Sequence, residues 1–379
     1  MDYNFNEEQK LIQKMVQEFT EKEVAPLDEH MDKSGEYPKE LIAKMAENGF
    51  FGIPYPEELG GAGGDSICGV LATSELAKGS LSIAFTLATH WVACDALNFF
   101  ANDEQRERLL RPLLEGEKLG AFSITEPCAG SDSAAIISNA ERDGDDWVLN
   151  GTKAFVTNGG VADLYVICVK TDKTQGARGI SAFVIEKDNP GLIAGKKEDK
   201  MGLRGSVTAE MILKNCRVPG ANLLGKEGEG FKIAMKILDS GRMQFGAQGL
   251  GLAEACLKVA SKYARERKAF GKPLSELQSV QFMIANMASE IELVKTLLFK
   301  VAWMRDKGMN FTKEAAILKL FSSEMAMKAA KDAIQILGGY GYTRDYPPER
   351  YLRDAKVLEI AEGANEIMRY VIGSMVLKA

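Results

Sequence analysis

The apolar pattern of this chain changes period twice, and that limits its possible folds more than any other feature. From residue 1 to about 118 the spacing is helical: Leu11, Ile12, Met15, Val16 and Phe19 mark one face of a first helix, and a second apolar run covers about 68–100. A loop, PYPEELGGAGG (54–64), separates the two, and the helical stretch EQRERLLRPLLEG closes the region. Between about 119 and 228 the runs become short and β-rich, as in DDWVLNGTKAFVTNG, DLYVICVKT, GISAFVIEK and AEMILKNCRVP, broken by Gly, Asn, Asp and Pro. Helical spacing returns from about 229, in long Ala-, Leu-, Met- and Lys-rich stretches at 230–266, 276–307 and 312–337. The expected fold class is α+β: an N-terminal α-helical domain (1–118), a middle antiparallel β-barrel or sandwich domain (119–228) and a C-terminal four-helix-bundle domain (229–379). A chain of 379 residues exceeds one ordinary core, which agrees with several packed units.

Charge and cysteine usage remove whole classes of function. The net charge is −6, from 47 basic and 53 acidic residues without long single-sign runs. A nucleic-acid binder needs a basic face to neutralise phosphates, so nucleic acid is not an expected partner. The start, MDYNFNEEQK, is acidic and polar, unlike a signal peptide, and no window approaches 18 uninterrupted apolar residues, so no membrane span is expected. Six cysteines lie far apart with no CxxC, which suits free thiols in a reducing, cytoplasmic setting. With His30 and His90 the only histidines, metal chemistry and Ser-His catalysis are poorly supplied, and acid–base work falls to a carboxylate.

Five stretches carry chemistry. ITEPCAGSD (124–132) offers small side chains and backbone N–H groups at Thr125, Gly130 and Ser131, suited to an anion or ring edge and equally to a turn. In KAFVTNGG (153–160), strand alternation puts Phe155 and Thr157 on one face, a flat surface plus a hydroxyl for a planar heterocycle, or a β-core aromatic with a polar neighbour. RERKAFGKPL (265–274) presents Arg267 as a bidentate phosphate ligand or as a solvated helix end. QILGGYGYTRDYPPERYLRD (335–354) ends a long apolar helix in paired glycines, which cost helix stability unless something is placed against them. Finally, IAEGANEIMR (360–369) sets Glu362 between Ala361 and Gly363, which give a carboxylate almost no steric cover; it is a helix cap or a base left open to a substrate.

In order and spacing these segments resemble the acyl-CoA dehydrogenase flavoprotein family, nearly end to end, from EEQKLIQKMV to EIMRYVIG. The length and the KEDKMGLRGS loop are similar to those of the short-chain, butyryl-type branch. The resemblance implies a homotetramer of α–β–α subunits that hold FAD between the middle domain, the C-terminal bundle and a neighbouring subunit. Carried onto this chain, Phe122, Ile124, Thr125, Gly130 and Ser131, with Phe155, Val156 and Thr157, would meet the isoalloxazine and pyrophosphate, Thr157 lying near flavin N5. Arg267, Phe270, Gln278, Gln335, Gly338 and Gly339 would hold the pyrophosphate and adenosine ends, and Ala364 and Glu366 would adjoin the flavin. Ser131, Asp239 and Arg242 would touch the CoA arm. Ala361, Gly363, His90 and Trp91 would border the acyl group, the last two on the helix that floors the acyl pocket, while from the residues alone a core side chain is the stronger reading of Trp91.

Glu362 matches the family's base. It would take the α-proton of the thioester while the β-hydrogen leaves as hydride to flavin N5, giving a trans-2-enoyl-CoA with electron-transfer flavoprotein as electron partner. Branches that place the base elsewhere carry Glu before Arg in the LDSGR segment; here that residue is Gly241. Two departures stand out: the family's usual Tyr before the base and Thr two after it are Ala361 and Ala364 here, and Ala269 also lacks a hydroxyl often found near the flavin. Removal of a ring at 361 opens space beside the reacting carbons, so a branched, cyclic or aromatic acyl group is expected in place of straight-chain butyryl. The same residues serve an enoyl-CoA reductase fed by a bifurcating electron-transfer flavoprotein; an acyl-CoA oxidase and a non-catalytic family member are the remaining alternatives.

Overall fold

The computed structural model describes residues 5–378. Helices α1 (Glu7–Phe19), α2 (Ala25–Ser34), α3 (Lys39–Glu47), α4 (Ser66–Gly79), α5 (Leu81–Phe100), α6 (Asp103–Gln105) and α7 (Arg111–Leu114) precede strands β1 (Gly120–Ser123) to β8 (Leu223–Leu224). Between these lie β2 (Asn139–Asp143), β3 (Asp146–Thr157), β4 (Leu164–Lys170), β5 (Ile180–Glu186), β6 (Leu192–Lys197) and β7 (Thr208–Pro219). Helices α8 (Gly230–Glu266), α9 (Gln278–Asp306), α10 (Thr312–Leu337), α11 (Pro348–Ala355) and α12 (Asn365–Lys378) complete the fold, with a minute hairpin β9 (Lys268–Ala269) and β10 (Lys272–Pro273) between α8 and α9.

The sheet is mixed. Its order is β6-β7-β3-β2-β4-β5-β8, with β1 pairing β4. Most pairings are antiparallel as expected, but β1 runs parallel to β4 in the register Phe122↔Val166, and β2 meets β4 in parallel at Asn139↔Lys170. On α1 the five apolar positions do not form one buried face: Val16 is buried, whereas Leu11 and Met15 are exposed, because only part of the helix faces α4. Helix α5 is long and apolar enough to cross a membrane by composition, yet 78% of its most apolar window is buried inside the protein, where it packs on α4, α8 and β1.

Helix α8 joins the halves of the molecule. It lies against α4 and α5 on one side and α9 and α10 on the other. Glycines let these backbones approach: a Cβ at Gly251 would lie 2.2 Å from the Ser74 carbonyl oxygen of α4, and one at Gly246 would lie 2.6 Å from Leu318 of α10. The first obstacle is backbone and cannot rotate away. Gly251→Ala is therefore expected to lose about 2–4 kcal/mol despite better helix propensity, read as a lower urea midpoint; a midpoint equal to wild type refutes this packing argument.

Candidate active site

Glu362 sits in a short linker between the 3₁₀ turn after α11 (Lys356–Glu359) and α12. Its φ is +56° and that of Gly363 is +95°, so two consecutive residues are left-handed, a conformation a non-glycine residue holds only at a cost. Glu362 does not cap α12. Its Oε2 is shut off from solvent and has no hydrogen-bond partner among the described residues. Burial raises its pKa to about 7, opposed by the positive charges of Arg242 and Lys319. The carboxylate faces α8 at Gly241, where a Cβ would stand 2.8 Å from Oε2. One residue on, Arg242 donates Nε–H to the Glu362 carbonyl (3.4 Å) and Nη1–H to Asp239 Oδ1 (2.8 Å), while Thr312 Oγ1 donates to Asp239 Oδ2 (2.6 Å).

Asp239 and Arg242, expected at the CoA arm, are both buried and hydrogen-bonded to each other, to Thr312 and to the base residue's backbone.

A second group of residues gathers on the sheet. The Thr125 carbonyl accepts from the Ala154 N–H (3.0 Å), so ITEPCAGSD and KAFVTNGG run side by side. Beneath them the fully buried Lys153 donates to Glu126 Oε1 (2.6 Å) and the Ile124 carbonyl (3.2 Å), and Glu126 accepts from the N–H groups of Ile137 and Ser138. Lys153 and Glu126 escaped the sequence reading, although a Lys inside an apolar strand was a signal that it needs a buried counter-charge. Ile124 and Val156 are core residues and offer only backbone; Phe122, Thr125 and Thr157 are half-buried, and Gly130 and Ser131 are exposed. Phe155 differs from a regular strand residue: β3 bulges between Lys153 and Val156, and Phe155 takes φ +54° with its ring 65% exposed.

A third group forms an open cleft of about 470 Å³. Arg267, at the end of α8, meets Gly338 and Gly339, just past α10, together with Tyr263, Leu274 and Tyr340. Gly338 has φ +60°, and a Cβ on either glycine would meet nothing within 4 Å, so the backbone here is bare. Phe270, 91% exposed at φ +52°, and the exposed Gln278 and Gln335 stand outside this lining. Bare backbone, an exposed arginine and unburied aromatic rings fit the phosphates and flat rings of a flavin nucleotide.

Known proteins agree with this layout. Models of the acyl-CoA dehydrogenase N-terminal, middle and C-terminal domains match residues 6–117, 121–216 and 228–377. The chain belongs to the acyl-CoA dehydrogenase family. It is 44% identical to a short-chain specific acyl-CoA dehydrogenase of Clostridium acetobutylicum over 100% of both chains, and 40% identical to a 3-(aryl)acrylate reductase of Clostridium sporogenes over 99% of this chain and 100% of that one. A solved structure described for the electron-transferring flavoprotein of Acidaminococcus fermentans, in work on flavin-based electron bifurcation, contains a chain 47% identical with TM-score 0.98, each covering 100% of the other. Members of the family are FAD flavoproteins, and the fold and the flavin expectation stand.

Within this acyl-CoA dehydrogenase, two expected substrate contacts move to the core. His90 is fully buried, its Nδ1 accepting the Gly120 N–H (3.0 Å) and its Nε2 lying 3.4 Å from Cys94 Sγ, and burial pulls its pKa down to about 3. Trp91 is buried and donates Nε1–H to the Phe51 carbonyl (2.8 Å). Both spend their polar atoms tying α5 to its neighbours. One turn on from Gly241, Phe245 of α8 packs edge-on against Phe85 of α5 with ring centroids 5.3 Å apart. Ala361 and Gly363 flank the base, Ala361 packing on the main core while Ala364 is half-buried and Glu366 exposed.

Proposed function

We propose that this enzyme interconverts a short acyl-CoA and its 2-enoyl-CoA, with Glu362 as the base at the α-carbon. The observation that carries this is the Glu362 carboxylate: its Oε2 is shut off from solvent, has no hydrogen-bond partner among the described residues, turns toward Gly241, and the group is raised to about 7, so that it is partly ionised at neutrality and basic enough to take a proton. Bound FAD supplies the hydride acceptor for oxidation or the hydride donor for reduction. The chain's own part is to place Glu362, keep water from it, and present backbone N–H groups of the linker to the thioester carbonyl as negative charge develops there. Phe122, Thr125, Gly130, Ser131, Phe155 and Thr157 are proposed for the flavin end of the cofactor, and Arg267, Phe270, Gln278, Gln335, Gly338 and Gly339 for its pyrophosphate and adenosine.

Several finer features accompany this reading. Exposed Phe270, Leu293, Tyr342, Tyr370 and Leu377 leave the C-terminal helices with apolar surface that a homotetramer would cover. An electron-transfer flavoprotein is the proposed electron partner, as the Acidaminococcus structure suggests. The division into units 1–118, 119–228 and 229–379 and a cytoplasmic location are proposed with it, the latter supported by six free thiols. Reduction of an enoyl-CoA is the second reading, favoured by the name of the Clostridium sporogenes relative.

The small side chain of Ala361 next to the base residue favours a branched, cyclic or aryl-substituted acyl group. Anaerobic mixing of the purified protein with a panel of acyl-CoAs should bleach the flavin absorbance, fastest with a branched or arylpropionyl thioester. Ala361→Tyr should shift the kcat/KM ratio toward butyryl-CoA by about 10-fold or more, the worth of one filled subsite. A flavin that no acyl-CoA reduces and no enoyl-CoA reoxidises refutes the function; wild-type preference for butyryl-CoA refutes the substrate class alone.

A further inference from the structure

Lys319 lies in the middle of α10 within AAILKLFSS, where its neighbours are core residues, and it is 0% exposed. An ammonium ion removed from water this completely costs several kcal/mol unless hydrogen bonds and opposite charge compensate. Its hydrogen bonds are known: Nζ donates to the Gly363 carbonyl (2.6 Å) and to Asn365 Oδ1 (3.0 Å), the latter shared with Ser323 Oγ (3.1 Å). Both acceptors are neutral. The balancing charge therefore acts over a longer range, and Gly363 is the residue next to Glu362.

From these contacts we infer that Lys319 is a positioning residue for the base, clamping the Gly363 carbonyl so that the Glu362 linker keeps its left-handed turn and placing a positive charge close to the Glu362 carboxylate. The inference rests on Glu362 acting as the base. Two cations thus grip consecutive carbonyls, Arg242 that of Glu362 and Lys319 that of Gly363, which fixes the two peptide planes whose residues have φ of +56° and +95°. The electrostatics run in the same direction. Burial pulls the Lys319 pKa down to about 8, and Glu362 is the foremost charge opposing that fall. The other charged groups facing this pocket are Arg242 with its partner Asp239 from α8, Glu359 from the 3₁₀ turn and Glu366 from α12. Arg242 repels Lys319 and joins it in favouring ionised Glu362, whereas Glu359 and Glu366 support the lysine's charge.

The sign follows. A positive charge near a carboxylate lowers its pKa, so loss of Lys319 raises that of Glu362 and moves the acidic limb of the kcat/KM–pH profile upward. In the FAD-loaded enzyme, Lys319→Met is expected to shift that limb up by about one pH unit, the size of a single nearby charge, and to lower kcat about 10-fold at pH 6.5 with recovery above pH 8 and little change in KM. Exchange of the thioester α-hydrogen into D2O, followed anaerobically by mass spectrometry, should show the same displaced pH dependence without any redox turnover. Asn365→Asp provides the second variant: it keeps the oxygen that Lys319 holds but sets a carboxylate against the ammonium, cancelling its field, and should move the limb the same way. If Lys319→Met fails to fold or to retain FAD, Asn365→Asp decides. An acidic limb that coincides with that of wild type in a folded, FAD-replete variant overturns the role given to Lys319. Glu362 itself is tested separately by Glu362→Gln, whose retention of turnover would overturn the base assignment instead.

Discussion

Glu362→Gln should lower kcat about 10³-fold at pH 7.5 while FAD content stays at the wild-type level. Glutamine matches the carboxylate in shape but cannot accept a proton from carbon, so the residual rate measures what binding and orientation achieve without a base. Wild type should show an acidic limb near pH 7 in kcat/KM, because protonated Glu362 is inactive and its pKa stands at about 7. In Glu362→Gln that limb should vanish. Stability should move the opposite way. A carboxyl group whose folded-state pKa is raised from 4.5 to about 7 holds its proton more tightly folded than unfolded, so the native state loses stability as pH rises from below 4.5 through 7 and stays lower above it. Glutamine has no such penalty and loses no hydrogen bond from Oε2, which makes none. The variant should therefore unfold at a higher temperature than wild type at pH 8, by about 1–3 kcal/mol of added stability. A variant that is as active as wild type, or one that is inactive only because it unfolds, contradicts this account.

The second large effect belongs to Gly241→Ala. The added Cβ would lie 2.8 Å from Glu362 Oε2 and 3.0 Å from its Cδ, distances that real Cβ atoms do not tolerate. Here the obstacle is the far end of a flexible side chain, so the fold survives by moving the carboxylate. That displacement is what catalysis cannot absorb: a base shifted by about 1 Å loses on the order of 10²-fold in rate. Alanine is also the better helix former, worth up to about 1 kcal/mol within α8, so lower activity should accompany equal or higher thermal stability. Steady-state kinetics beside a melting curve checks both, and an unaffected kcat would show that the carboxylate does not work against this face of α8.

Much of the architecture was legible in the sequence because hydrophobic period is a local property. Helices expected at 230–266, 276–307 and 312–337 appear as Gly230–Glu266, Gln278–Asp306 and Thr312–Leu337. Glu362 could be singled out from its small neighbours, and the glycine pair at 338–339 from its cost in a helix. What failed were statements about which way side chains face. His90 and Trp91 point into the core, and a helix as largely apolar and buried as α5 has no broad polar face to reveal its orientation. Asp239 and Arg242 were assigned to the CoA arm by the family resemblance alone, and only packing shows their hydrogen bonds to each other, to Thr312 and to the base linker.

By itself the sequence determined the α–β–α order, since periodicity and turn chemistry act between residues close in the chain; it marked the carboxylate of Glu362 as a cap or an open base, and the family resemblance pointed to the base. Tertiary structure alone decided how that carboxylate behaves. Gly241 of α8, Arg242 beside it and Lys319 of α10 stand 121, 120 and 43 positions from Glu362, and their distance, burial and field set its place and its pKa near 7. Electrostatic energy depends on separation and dielectric in three dimensions, which a one-dimensional pattern does not carry.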